Sequence, residues 1–160
     1  MPSASPAYPK SSPSVLIMAA KRQIKQLVAT RLKSFHLTDQ QCLVLEIVRE
    51  HGPTCLSDLA GHLRLDHPTV SRLVHSLEER VLLKVKPDPQ HRRRVLIHLD
   101  ETNQAFLDEL HEIVQDYRAR LEAGLTEEEK QVLRTCLGKV LANLDTMGLV
   151  LQEMILEQKV

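Results

Sequence analysis

The sequence predicts a mainly α protein, a winged helix-turn-helix with a two-stranded wing flanked by long N- and C-terminal helices, on three observations. After Asp66, apolar residues fall at Val70, Leu73, Val74 and Leu77, the spacing of a helix that buries one side. Directly behind them, Leu82 to Lys86 and Val95 to Leu99 read as short strands around the turn signal Pro87-Asp88-Pro89. Finally, an apolar stripe runs from Leu125 through Val132, Leu133, Leu137, Val140, Leu141, Leu144 and Met147 to Ile155, on a helix of about 45 Å at ~1.5 Å per residue. That is longer than so small a domain can cover.

Taken in order, residues 1–13 are rich in Pro, Ser and Ala, and a loose arm is expected there. A first long helix follows from Ser14 to about Phe35, with Leu16, Ile17, Ala20, Ile24, Leu27, Val28 and Leu32 as its stripe. Thr38-Asp39-Gln40-Gln41 fits a capping box and opens a second helix to Glu50, ended by Gly52 and Pro53. This helix is expected to bury some combination of Cys42, Leu43, Leu45, Ile47 and Val48. A short third helix spans about Leu56 to Leu63, and Arg64-Leu65 links it to the helix over 66–80, with Asp66 as N-cap and Pro68 in the first turn. After the wing, Asp100 and Glu101 start a fifth helix, Gly124 stops it, and Thr126 to Glu129 form a second capping box. The domain reading is therefore a helical dimerisation region over 14–36 and 101–160 around a winged helix over 37–100.

Composition bounds the function. The 160 residues carry 21 basic and 21 acidic side chains, but residues 64–99 have a net charge of +4 and residues 100–160 of −7. Such polarity points to a surface for a polyanion. Aromatic residues make up only 2% of the chain, which argues against binders that stack unpaired bases on aromatic platforms. Cys42, Cys55 and Cys136 form neither a disulfide framework nor a zinc signature. Of the three, Cys55 is the best placed for a redox role, because the other two lie among apolar positions. The eight histidines include no i, i+4 pair, so neither metal nor cofactor is expected. The run Val15 to Ala20 is too short to cross a bilayer and lacks a cleavage pattern, so a cytoplasmic protein with no membrane partner is expected. No nucleophile and base pair, carboxylate dyad or phosphate loop is legible, which speaks against an enzyme.

The exposed face of the helix over 66–80 offers His67, Thr69, Ser71, Arg72 and His75, and the tip of the wing over 87–94 is expected to carry Arg92, Arg93 and Arg94. A polar helix face beside a cationic loop suits double-stranded DNA, one reading base edges and the other meeting phosphates. Arg72, the one long cation on that face, is the candidate for guanine, while Arg92 or Arg94 either meets phosphate or leans back onto Asp88. The long apolar stripe would be an aggregation liability in a monomer, and a second copy buries it most simply. The expected protein is thus a homodimeric, sequence-specific DNA-binding transcription regulator. The alternative is a winged-helix protein-interaction module without specific DNA binding, which has no need of three arginines at the wing.

This order of elements resembles the MarR family of bacterial transcription regulators over about Val15 to Leu156. The resemblance is carried by Leu56-Ser57-Asp58-Leu59-Ala60, by Thr69-Val70-Ser71-Arg72-Leu73-Val74 with Leu77-Glu78, and by Asp88-Pro89-Gln90-His91-Arg92-Arg93 with Val95 to Leu99. It implies a recognition helix in the major groove, Arg93 in the minor groove, and a dimeric repressor on a pseudo-palindromic operator, released by a small-molecule effector. The implied effector crevice would draw on the first, second and fifth helices, with Phe35, His36 and His111 as its lining. Three positions depart from the family pattern. His91 replaces an Asp of the wing, and Asp100 replaces a capping Thr with its capping chemistry retained. Val81 replaces the Gly that closes the recognition helix, and because a β-branched residue resists positive φ, that corner is expected to be built differently.

Overall fold

The computed structural model describes residues 12–157, apart from the side chains of Arg92 and of residues 149–157. The arm expected over residues 1–13 therefore lies, except for Ser12 and Pro13, outside the described residues. Contacts divide the chain into two compact units, Met1–Val114 and Gln115–Val160.

In the first unit, α1 (Pro13–Leu32) ends in a 3-10 turn, Lys33–Phe35, closed by His36 in the left-handed region at φ 51°. Helix α2 (Asp39–His51) opens on the expected capping box: the Gln41 amide donates to Thr38 Oγ1 at 3.1 Å and the Thr38 amide to Gln41 Oε1 at 3.0 Å. Its buried face holds Cys42, Val44, Leu45, Glu46, Ile47 and Val48, whereas Leu43 is 46% exposed. At 100° per residue Leu43 falls on the opposite side from Leu45 and Val48, and so drops out of the expected core.

Helix α3 (Leu56–Leu63) buries Leu59 and Ala60, and Arg64 at φ 52° turns the chain into α4 (His67–Glu79). Helix α4 is capped as its sequence predicts, the Thr69 amide donating to Asp66 Oδ1 at 2.8 Å. That bond, with a second from the Thr69 hydroxyl, holds the Asp66 carboxyl below its ordinary pKa. Val70, Val74 and Leu77 form its buried face.

Strands β1 (Leu83–Asp88) and β2 (His91–Leu99) pair antiparallel, from Leu83 opposite Leu99 to Pro87 opposite Val95. Thr54 and Ile97 exchange backbone hydrogen bonds of 3.1 and 2.8 Å, which tie the base of the wing to the α2–α3 loop. The core is almost wholly aliphatic, built on Val44, Leu45, Leu59, Val70, Leu77, Leu83, Ile97, Leu107 and Leu110. Its one aromatic pair is Phe35 with Phe106, edge to face at 5.2 Å.

Asp100 caps the 3-10 turn Glu101–Asn103, accepting from the Thr102 amide at 2.9 Å, and leads into α5 (Gln104–Leu121). In the second unit, Gly124 at φ 86° separates α5 from α6 (Glu127–Glu157), 31 residues long. The second capping box is present, the Thr126 amide donating to Glu129 Oε2 at 2.8 Å and the Glu129 amide to Thr126 Oγ1 at 3.2 Å. Along α6, Val132, Leu133, Leu144 and Met147 are exposed. None of the described helices is long and apolar enough to cross a membrane.

The corner after α4 corrects one expectation. Val81 itself adopts φ 57°, so the turn keeps the geometry that a glycine would favour. Its neighbours over-determine it: the Val81 amide donates to the Glu78 carbonyl at 2.9 Å, the Leu82 amide to the Leu77 carbonyl at 2.9 Å, and Asn103 Nδ2 to the Val81 carbonyl at 2.8 Å.

Candidate nucleic-acid interface

The exposed face of α4 begins with His67 in its first turn, in the open. Thr69 is half-buried, its hydroxyl donating to Asp66 Oδ2 at 3.0 Å and accepting from Arg72 Nη2 at 3.1 Å. Arg72 is thereby steadied along the helix while its guanidinium stays exposed. Ser71 and His75 follow on the same side, His75 Nε2 lying 3.3 Å from Glu79 one turn on. From within, Gln41 Nε2 donates to Ser76 Oγ at 2.9 Å, linking the start of α2 to the recognition helix.

Ser71 and His75, together with Leu56, Val74, Glu78, Val85, Val95 and Ile97, line a cleft of about 250 Å3 between α4 and the wing. Helix face and wing therefore flank one continuous surface. The arginines, however, do not sit at the tip as expected. The turn is Pro89-Gln90, fixed by the Gln90 amide donating to Asp88 Oδ1 at 2.8 Å, and the pairing jumps from Pro87 opposite Val95 to Asp88 opposite His91. Arg92, Arg93 and Arg94 occupy the bulge so created. Pro87 has no N–H to offer the ladder, which is why the irregularity falls there.

Each arginine has its own surroundings. The side chain of Arg92 is outside the described residues. Arg93 is exposed and, among the described residues, has no ion-pair partner. Arg94 leans back chiefly onto Asp58, a partner the sequence did not suggest: its Nη2 donates to Asp58 Oδ2 at 3.0 Å, while its Nε lies 3.8 Å from Oδ2 of Asp88, the carboxylate expected to hold it. The adjacent Cys55 sulfur and these two carboxylates raise the Arg94 pKa further above its ordinary value.

The thiols differ from expectation. Cys55 is buried and donates to Asp58 Oδ2 at 3.0 Å, whereas Cys136 on α6 is exposed. Asp58 gave no sign of its role in the sequence beyond membership of Leu56 to Ala60. Arg80 gave none at all, yet its Nη1 donates to the His36 carbonyl at 2.7 Å and its Nη2 to the Phe35 carbonyl at 2.9 Å.

Of the residues assigned to an effector crevice, Phe35 is 4% exposed in the core against Phe106. His36 is exposed at the end of the 3-10 turn. His111 is half-buried, its Nδ1 3.1 Å from Oε2 of Glu46, a carboxylate buried on α2. Among the described residues no group of three or more His, Cys, Asp or Glu side chains is placed to hold a metal.

Residues 37–95, which hold α2, α3, α4, β1 and the arginine bulge, match the family model described as MarR family. That segment is similar to the MarR family, and the winged-helix fold is shared with solved regulators of that family. Among relatives, it is 36% identical over 72 residues to the HTH-type transcriptional repressor NicR of Pseudomonas putida, covering 45% of this chain and 46% of NicR. That match thus spans less than half of NicR's length. Among solved MarR-family neighbours, the S. aureus MepR–DNA complex superposes with a TM-score of 0.74 at 26% identity, covering 86% of this chain and 99% of that one. BpsR of Bordetella bronchiseptica, described through the regulation of its DNA binding by 6-hydroxynicotinic acid, follows with a TM-score of 0.67 at 25% identity, covering 85% of this chain and 97% of BpsR.

Proposed function

We propose that this protein is a homodimeric, sequence-specific DNA-binding transcription regulator that acts as a repressor. Helix α4 enters the major groove of a pseudo-palindromic operator and Arg93 on the wing enters the minor groove. The observation that carries this reading is the cleft that Ser71 and His75 of α4 share with Val85 and Val95 of the wing, with exposed Arg72 next to Ser71 on the helix and the arginine bulge running up to Val95 on the strand. A helix supplies base-edge contacts, and cations at its flank supply the electrostatic share of affinity. The structure of MepR with DNA and the description of NicR as a repressor support the same reading.

Residues 14–36 and 101–160 supply the dimer interface. Met18 at 72% and Leu27 at 57% exposure on α1, with Val132 at 62% and Met147 at 59% on α6, are apolar surface that a second copy would bury. A small-molecule effector releases the DNA, by analogy with the regulation of BpsR.

The test is binding of the full chain to duplexes from its own upstream region against random duplexes of equal length. Preference for the former, with affinity falling steeply as salt rises, supports the reading. Equal affinity for both overturns it.

A further inference from the structure

We propose that Arg80 is a positioning residue that sets the angle of the recognition helix, and with it the separation of the two half-sites the protein accepts. The inference rests on the DNA-binding reading above and adds to it the part that fixes register. Arg80 stands at the C-terminal end of α4, and both of its terminal nitrogens are engaged, by the carbonyls of His36 at 2.7 Å and Phe35 at 2.9 Å. Those carbonyls close α1, where unpaired oxygens carry partial negative charge. A planar guanidinium that meets two of them holds a direction as well as a distance. With both ends of its fork committed, Arg80 is a brace and not a phosphate contact.

The turn it grips is rigid. His36 is in the left-handed region, and the Phe35 ring is locked in the core against Phe106 of α5. On the other side of the joint, the Val81 carbonyl is held by Asn103 at the approach to α5. The rear of α4 is thus fastened to the end of α1 and the start of α5, while its front carries the reading residues. Helix α4 has 13 residues, so it is about 20 Å long at 1.5 Å per residue. A tilt of about 10° about its rear moves its front by about 3.5 Å, close to the ~3.4 Å rise of one base pair. Small slack at Arg80 therefore becomes a whole-step error in the operator.

The experiment selects a preferred duplex from a random-sequence pool with the wild-type chain, then builds variants of that duplex with the half-sites moved by one or two base pairs. For wild type, affinity peaks sharply at one separation. For Arg80→Met, affinity at that separation falls about tenfold while the displaced duplexes change less than about threefold, and Arg80→Lys, which keeps the charge on a single donor nitrogen, restores part of the peak. A profile of unchanged shape in Arg80→Met overturns the proposal, as does a uniform loss at every separation. If wild type selects no duplex, the DNA-binding reading itself has failed. A second measurement needs no variant: duplex binding slows amide exchange at His36 and Leu37 together with Val81 and Leu82. Protection confined to α4 and the wing overturns the proposal.

Discussion

Asp58 of α3 accepts a hydrogen bond from Arg94 of the wing at 3.0 Å and shares that oxygen with the Cys55 thiol. An acidic side chain paired with an arginine of the proposed DNA-binding surface needs a reason, and bracing the wing supplies one. The two possible effects of Asp58 on binding have opposite signs. Were it only a repulsive charge, Asp58→Asn would tighten DNA binding. As a brace, its loss loosens the bulge that presents Arg93, and specific affinity falls about threefold, in keeping with the modest strength of an exposed ion pair. Fluorescence anisotropy with the selected operator decides the sign.

Arg93 is the exposed arginine of the bulge that, among the described residues, has no ion-pair partner. Arg93→Ala is expected to cost about 1–3 kcal/mol of specific binding and to lower the slope of log affinity against log salt by about 1. An unchanged titration would leave the surface to a protein partner instead.

Val81 holds a left-handed backbone at a cost of about 1–2 kcal/mol, set against about 0.5–1 kcal/mol of extra chain entropy lost by a glycine. Because its side chain is 47% exposed, little burial is forfeited on truncation. Val81→Gly is therefore expected to raise the urea midpoint, by a stability gain of about 0.5–1 kcal/mol. A lowered midpoint would mean that the valine side chain contributes more than its backbone costs.

Asp100 is 2% exposed, and Lys84 Nζ approaches its Oδ1 to 2.7 Å. That bond, joined by those from Thr102, lowers its pKa from 3.8 to about 2. The folded state thus binds its proton less readily than the unfolded chain. The resulting stabilisation is complete above about pH 4 and is lost as the pH falls toward 2. Thermal midpoints measured from pH 5 to pH 2 should decline less steeply in Asp100→Asn than in wild type. Parallel curves would assign the acid sensitivity to other carboxylates, such as Asp66.

Much of the fold was legible because its signals are local. Thr38 with Gln41, Asp66 with Thr69, and Thr126 with Glu129 satisfy backbone donors within one turn, so sequence spacing alone locates three helix starts. The polar face of α4 was legible for the same reason. What the sequence concealed depends on contacts distant along the chain. Arg80 meets Phe35 and His36, and Arg94 meets Asp58, across separations that periodicity does not encode. Val81 misled because propensity describes a residue alone, whereas Asn103 and the Leu77 and Glu78 carbonyls fix the corner around it. The arginines were displaced from the tip because a proline's missing donor shifts register, an effect on the pairing and not on any one residue.

The wing is a ribbon of only two strands, and such a ribbon offers main-chain donors and acceptors along its sides to any passing β-segment. In this protein that invitation is withdrawn by the same features that break its regularity: a ring without an N–H at Pro87 and three consecutive arginines in the bulge between His91 and Val95. A fibril built by stacking this ribbon would have to align like charges at every layer. The irregularity that presents arginine to a ligand thereby also keeps the protein from assembling with itself through its most exposed strands.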